Sequence, residues 1–371
     1  MNTKFLGAKM TRLVYLILFF LGSNLCFAHP FSTQVKRYMT RHHIPGLSIS
    51  LMENGNVTWT DGLGWSDVEN EIKVSPKTRF RLASLSKPIT AAIAMSLVEA
   101  GKLDLDAPIQ KYCPQFPVKT SPRTGEPVKI TSRLVLGHLS GIRHYQFKNG
   151  KSLGYENTQH YDTPSEALDF FKSDPLIHNP GEQFSYSTFG YNVIGCVIEN
   201  IMGVSFNDVL GRMAATWGMS TLRHDSITDI IPFRAQGYEL DHHLKWKNSK
   251  MTDTSIKTPG GGMVANSQDL IEFARGLEQG SILTKQGHYE MLTAQITASG
   301  QTIPYGLGWS LGEVKGKRAY YHTGSQQRVS NVLLVVPEID FAIAILSNLE
   351  GVGVKDLAES LAAETIDNLK P

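Results

Sequence analysis

The chain has 371 residues, 41% of them apolar and 19% charged, which suffices for a large buried core and excludes wholesale disorder or a multi-span membrane protein. Its formal charge of +2 is set by Lys4, Lys9 and Arg12, which precede Ala28 with no acidic residue among them; the remaining 33 basic groups face 34 acidic ones, a formal −1. A basic surface for nucleic acid is therefore not indicated, and no nucleic-acid partner is expected.

In chain order, the first 28 residues read as an export signal. Lys4, Lys9 and Arg12 form the positive region, Leu13 to Leu21 the apolar one, and Cys26-Phe27-Ala28 the small-residue cleavage site. The apolar stretch is shorter than the ~20 residues a membrane span needs, and Gly22, Ser23 and Asn24 interrupt it. The expectation is an exported chain, periplasmic or secreted if the source is bacterial, with no stable membrane span after cleavage. Phe31 to Arg41 reads as a helix ended by Pro45-Gly46, and Leu47 to Met52 with Val57 to Thr60 as a hairpin about Glu53-Asn54-Gly55.

Ile89 to Ala100, Ser165 to Phe171, Tyr191 to Met202 and Asp269 to Leu277 carry helical periodicity between Gly- and Pro-rich loops. From Tyr320 the pattern returns to strands. Asn331 to Val336 and Phe341 to Leu346 flank the turn 337–340, and Val354 to Leu369 closes as an amphipathic helix. Strands at both ends with helices between them predict one domain over residues 29–371: a sheet subdomain from about 29–83 and 300–371, and a helical subdomain from about 84–299.

Cys113 and Cys196, the two cysteines after Ala28, are too few for a disulfide framework; an oxidising compartment would permit one bridge between them, and two separate buried thiols are the first expectation. No CxxC pair or HExxH helix occurs, so neither a metal nor any other cofactor is expected. No GxSxG elbow occurs, and Gly150-Lys151-Ser152 lacks the glycine and preceding strand of a phosphate loop.

Ser84-Leu85-Ser86-Lys87 stands out, followed by Pro88 and the run Ile89 to Ala100. If the helix begins at about Ser84, Ser84 and Lys87 share one face and bring an amine beside a hydroxyl. Pro88 is tolerated only near a helix start, whose free N–H groups can also stabilise charge on a substrate oxygen. Alone, SxxK is weak. Downstream, however, come Tyr186-Ser187-Thr188 and His322-Thr323-Gly324, in the order of the three motifs of the serine β-lactamase and penicillin-binding-protein family.

Pro45 to Ser48, Phe80 to Ser84, Gly101 to Asp106, His138 to Ile142, Gly260 to Gly262 and Tyr305 to Trp309 extend the resemblance over the whole chain after Ala28. It is strongest to the branch of class C β-lactamases, D-alanyl-D-alanine carboxypeptidases and esterases. The segments Gly101 to Asp106, His138 to Tyr145 and Tyr186 to Tyr191 resemble its mitochondrial serine β-lactamase-like members. The resemblance implies an α/β (α+β) fold of the β-lactamase/transpeptidase type, with an antiparallel sheet flanked by terminal helices and an inserted, mainly helical region.

It also implies a serine hydrolase working through an acyl-enzyme. Ser84 is the implied nucleophile, Lys87 and Tyr186 the two candidates for its base, and the N–H groups of Ser84 and Ser325 the oxyanion hole. His322, Thr323, Gly324 and Thr188 are implied to contact substrate. Two departures bear on which substrate. Thr188 stands where the family usually has Asn, and His322 where it usually has Lys, so an amide and a fixed cation are lost. Small esters or peptides are therefore expected ahead of penicillins, with true β-lactamase or D,D-carboxypeptidase activity as the alternative.

Arg328 replaces a common Gly and reads either as a solvated loop residue or as a cleft contact. His138 reads as a buried hydrogen-bonding residue, Gly260 to Gly262 as points of close approach, and Tyr305 and Trp309 as cleft or core. Mitochondrial members are associated with filaments, so a non-catalytic, self-assembling scaffold is the reading from another class, by analogy alone.

Overall fold

The computed structural model describes residues 29–148 and 151–369. The expected export signal and Gly150 of the glycine-lysine-serine run lie outside the described residues. A seven-stranded antiparallel sheet runs in the order 310–314, 317–326, 329–336, 341–347, 46–53, 56–67, 72–73, so strands from both ends of the chain pair at its centre.

The central strands Val329–Val336 and Phe341–Ser347 are buried throughout, because both faces of the sheet are covered. Alternation sorts their side chains. Ile343 and Ile345 face the terminal helices Ser32–Arg41 and Lys355–Asn368, packing with Val35 and Leu361. Ala342, Ala344 and Leu346 face the helical region and pack with Ile89, Ile93 and Phe273.

The helix Ser86–Glu99 has no polar face over most of its length and runs through that second core, where it meets the helix Thr188–Met202. Ser84 lies just before it, in the 3₁₀ turn Ala83–Leu85, so the regular helix begins two residues later than the sequence suggests. The short sheet of Phe80–Arg81, Met263–Ala265 and Arg223–His224 fixes the approach to this turn. Leu82 N–H donates to Met263 O at 2.8 Å, and Ala83 takes a left-handed φ of 49°.

The expectation of two separate thiols is corrected: Cys113 and Cys196 form a disulfide, with Cα atoms 5.6 Å apart across a sequence separation of 83. That distance falls in the normal bridging range, and only the folded path of the chain creates it.

Candidate active site

Three segments converge on Ser84. The first is its own turn, whose position depends on Asn331: the Asn331 side-chain amide donates to Arg81 O at 2.7 Å and to Leu82 O at 3.2 Å. The second is the strand Lys317–Gln326. It passes so close that a Cβ on Gly324 would lie 2.2 Å from Leu82 O, which explains the glycine of the His-Thr-Gly triplet. The third is the start of the helix Thr188–Met202, capped by Ser187 Oγ accepting from Gly190 N–H at 3.0 Å. Between them lies a cleft of about 260 Å³, lined among others by Ser84, Tyr186, Thr188, Gly260 and Ser325.

Lys87 is fully buried, and its Nζ lies 3.1 Å from Ser84 Oγ. It donates to Thr188 Oγ1 at 3.1 Å and to Gly260 O at 2.6 Å. That carbonyl reaches Lys87 because residue 260 has no side chain; a Cβ there would sit 2.8 Å from Thr188 Cγ2 and Thr188 O. Burial, and next the charge of Lys257, hold the Lys87 ammonium well below the ordinary lysine range. As a neutral amine Lys87 uses two N–H groups on Gly260 and Thr188 and turns its lone pair to the Ser84 hydroxyl.

Tyr186 hydrogen-bonds Ser84, yet burial pushes its phenol above the usual tyrosine value, so it stays protonated at neutral pH. His138, at φ 59°, accepts from Ser187 N–H through Nδ1 at 3.1 Å and packs at a tilt against Tyr186, ring centroids 4.3 Å apart. Burial and the nearby Lys87 keep it uncharged, so it acts as a buried hydrogen-bonding residue. His144 accepts from Thr188 N–H at 3.2 Å, and burial lowers its pKa to about 3.

His322 is buried behind Tyr186. Its Nδ1 lies 2.7 Å from Thr323 O and its Nε2 3.1 Å from Tyr305 Oη, a pattern satisfied by a neutral ring donating from Nδ1 and accepting from the phenol. Burial, then Lys87, lower its pKa to about 3, so this position supplies no cation.

The structure thus brings Ser84, Lys87, Tyr186, Thr188 and Ser325 to one cleft, with Gly324 packed beneath it and His322 behind Tyr186, ring centroids 6.2 Å apart. Trp309 belongs to the core, stacked on Phe273, while Tyr305 orients His322. Neither reading of Arg328 holds. It is partly buried at φ 82° against the backbone of Gly237, away from the cleft lining.

Sequence reasoning missed Asn331, His144, Tyr145, Tyr155, Gln326 and Lys257. Asn331 was hidden inside a strand pattern, and Lys257 stands in an unremarkable loop, with only the following glycines to suggest proximity to the cleft.

The chain is similar to known proteins along nearly its whole length. A family model described as Beta-lactamase matches residues 31–365. The mitochondrial serine beta-lactamase-like protein LACTB of Homo sapiens is 29% identical, over 86% of this chain and 76% of its own length. The octameric penicillin-binding protein homologue from Pyrococcus abyssi superposes with a TM-score of 0.77 at 26% identity, covering 90% of this chain and 76% of that one. EstCE1, described as a hydrolase with promiscuous acyltransferase activity, shares the fold at a TM-score of 0.76 and 19% identity, over 89% and 97% of the two chains. With its three motifs meeting around one cleft and the family model matching residues 31–365, the chain belongs to the beta-lactamase family.

Proposed function

We propose that this protein is a serine hydrolase that cleaves small esters or amides through an acyl-enzyme on Ser84. The observation that carries the reading is the buried Lys87 amine, 3.1 Å from the Ser84 hydroxyl, with no carboxylate paired to it among the described residues. Lys87 takes the Ser84 proton as Oγ attacks the substrate carbonyl. Tyr186, protonated and bonded to Ser84, gives its proton to the leaving group and is reprotonated by the Lys87 ammonium. Ser84 and Ser325, from turn and strand, present backbone N–H groups to the oxyanion. Water then hydrolyses the ester bond to Ser84.

Intact-mass measurement after exposure to a fluorophosphonate should show one adduct, absent in Ser84→Ala. No adduct on the wild-type chain would favour the scaffold reading instead.

Penicillins are expected to acylate Ser84 slowly, because His322 is neutral and Thr188 Oγ1 is engaged by Lys87. A charge-assisted bond to the penicillin carboxylate is worth ~1.5–3 kcal/mol, so its loss weakens recognition roughly tenfold or more. His322→Lys should accordingly raise the rate of penicillin acylation about tenfold. An unchanged rate would show that the missing cation is not what limits this substrate class.

Export is part of the same proposal. The basic-apolar leader supports it, and so does the Cys113–Cys196 disulfide, which persists in oxidising compartments.

A further inference from the structure

Behind the cleft stands a lysine that the proposed chemistry does not use. Lys257 is 1% exposed, and its Nζ has no hydrogen-bond partner among the described residues. It lies 5.1 Å from the ring centroid of Tyr145 and 5.3 Å from that of Tyr155, two rings that wall the cleft. The neighbouring cleft residue Gln326 is 3% exposed, and its side-chain Nε2 likewise has no partner.

Both side chains approach the same cleft glycine. A Cβ on Gly261 would lie 3.5 Å from Lys257 Cδ and 3.7 Å from Gln326 Oε1, so a methyl group would just fit between them. An unpaired buried ammonium costs several kcal/mol, and a buried amide N–H without an acceptor adds to that. The surroundings make matters worse for the cation. Arg81 and Arg234 both pair with Asp225, at 2.6 and 3.0 Å, and Arg328 stands beside the same group without a carboxylate of its own. Of these, Arg81 adds its positive charge beside Lys257.

We infer that Lys257 and Gln326 form an anion subsite, entered past Gly261, that takes the distal carboxylate of the substrate's acyl group and so selects half-esters or half-amides of short dicarboxylic acids. This inference deepens the hydrolase reading and rests on it for turnover, though not for binding. Selectivity is thereby moved from His322, which is neutral, to Gln326 four residues further along the same strand and to Lys257. An arriving carboxylate pairs with the ammonium and accepts from the Gln326 amide, satisfying both donors at once. Burial brings the Lys257 pKa down to about 7, so carboxylate binding at neutral pH also favours uptake of a proton.

The test compares kcat/KM of the full chain for 4-nitrophenyl butyrate with that for 4-nitrophenyl half-esters of succinic, glutaric and adipic acid. At least one half-esters series member should be preferred by about tenfold or more, and Lys257→Met should lower that ratio by about ten- to a hundredfold. Gly261→Ala, which fits without a clash, should lower it in the same direction by closing the passage.

If both substrate types fall equally in Lys257→Met, the residue acts only on Lys87 and the subsite is overturned. No half-ester preference in the wild-type chain overturns it as well. Free glutarate supplies the second readout: it should raise Tm of the wild type and not of Lys257→Met, and no rise in the wild type counts against the subsite. A glutarate shift without turnover or Ser84 labelling would support the subsite while refuting the hydrolase reading.

Discussion

Lys87→Met is expected to slow acylation of Ser84 by about 10²- to 10⁴-fold, the range of a lost general base, with the fold retained. Rapid-mixing measurement with a chromogenic ester checks it. Lys87→Arg should be no better, because a guanidinium keeps its proton at any working pH and cannot take one from serine.

The pH profile gives the sign independently. A base works when unprotonated, so kcat/KM must fall as pH falls through the Lys87 pKa. Burial, and next Lys257, move that limb well below the ordinary lysine value of ~10.5. Tyr186→Phe should lower the rate yet leave this limb in place, since the buried phenol is protonated throughout and serves as a relay. A limb that disappears in Tyr186→Phe and persists in Lys87→Met would reverse the two roles.

The three motifs were legible because each is a short run of reactive or small residues whose types the chemistry dictates. Gly324, for instance, is required by the approach to Leu82 O. The central hairpin was legible for a different reason: strands buried on both faces read as unbroken apolar runs. The edge strand Ser310–Val314 was not, since most of its residues are exposed or only partly buried and carry no alternation. The start of the helix at Ser86 was also misread, because the 3₁₀ turn bearing Ser84 and the helix share the same local spacing.

What sequence could not supply were relations across the fold. Asn331 reaches the Ser84 turn from 250 residues away, counted to Arg81. Lys257 depresses the pKa of Lys87 from a different loop. Neither relation has a spacing rule. Arg328 shows the same limit in reverse, for a charged loop residue was expected to be solvated or to face the cleft and is instead packed against Gly237.

Reduction of the Cys113–Cys196 bridge is expected to destabilise the protein by about 4.5 kcal/mol, the loop-closure value for an 83-residue separation. Both sulfurs are fully buried, so a reductant reaches them mainly through the unfolded state. Urea unfolding with and without dithiothreitol should therefore show a lower midpoint in reductant, and thermal unfolding a Tm lower by about 5 °C. The bridge ties the segment after Ile109–Lys111 to the middle of the helix Thr188–Met202. The catalytic end of that helix is held separately: Ser187 caps it, and Tyr191 Oη donates to Leu136 O at 2.9 Å. Reduced protein kept well below its Tm should for this reason still label at Ser84 at nearly the oxidised rate. A large loss of labelling in folded, reduced protein would mean that the disulfide positions Tyr186 as well as stabilising the chain. Equal Tm values with and without reductant would mean that the bridge contributes nothing to stability.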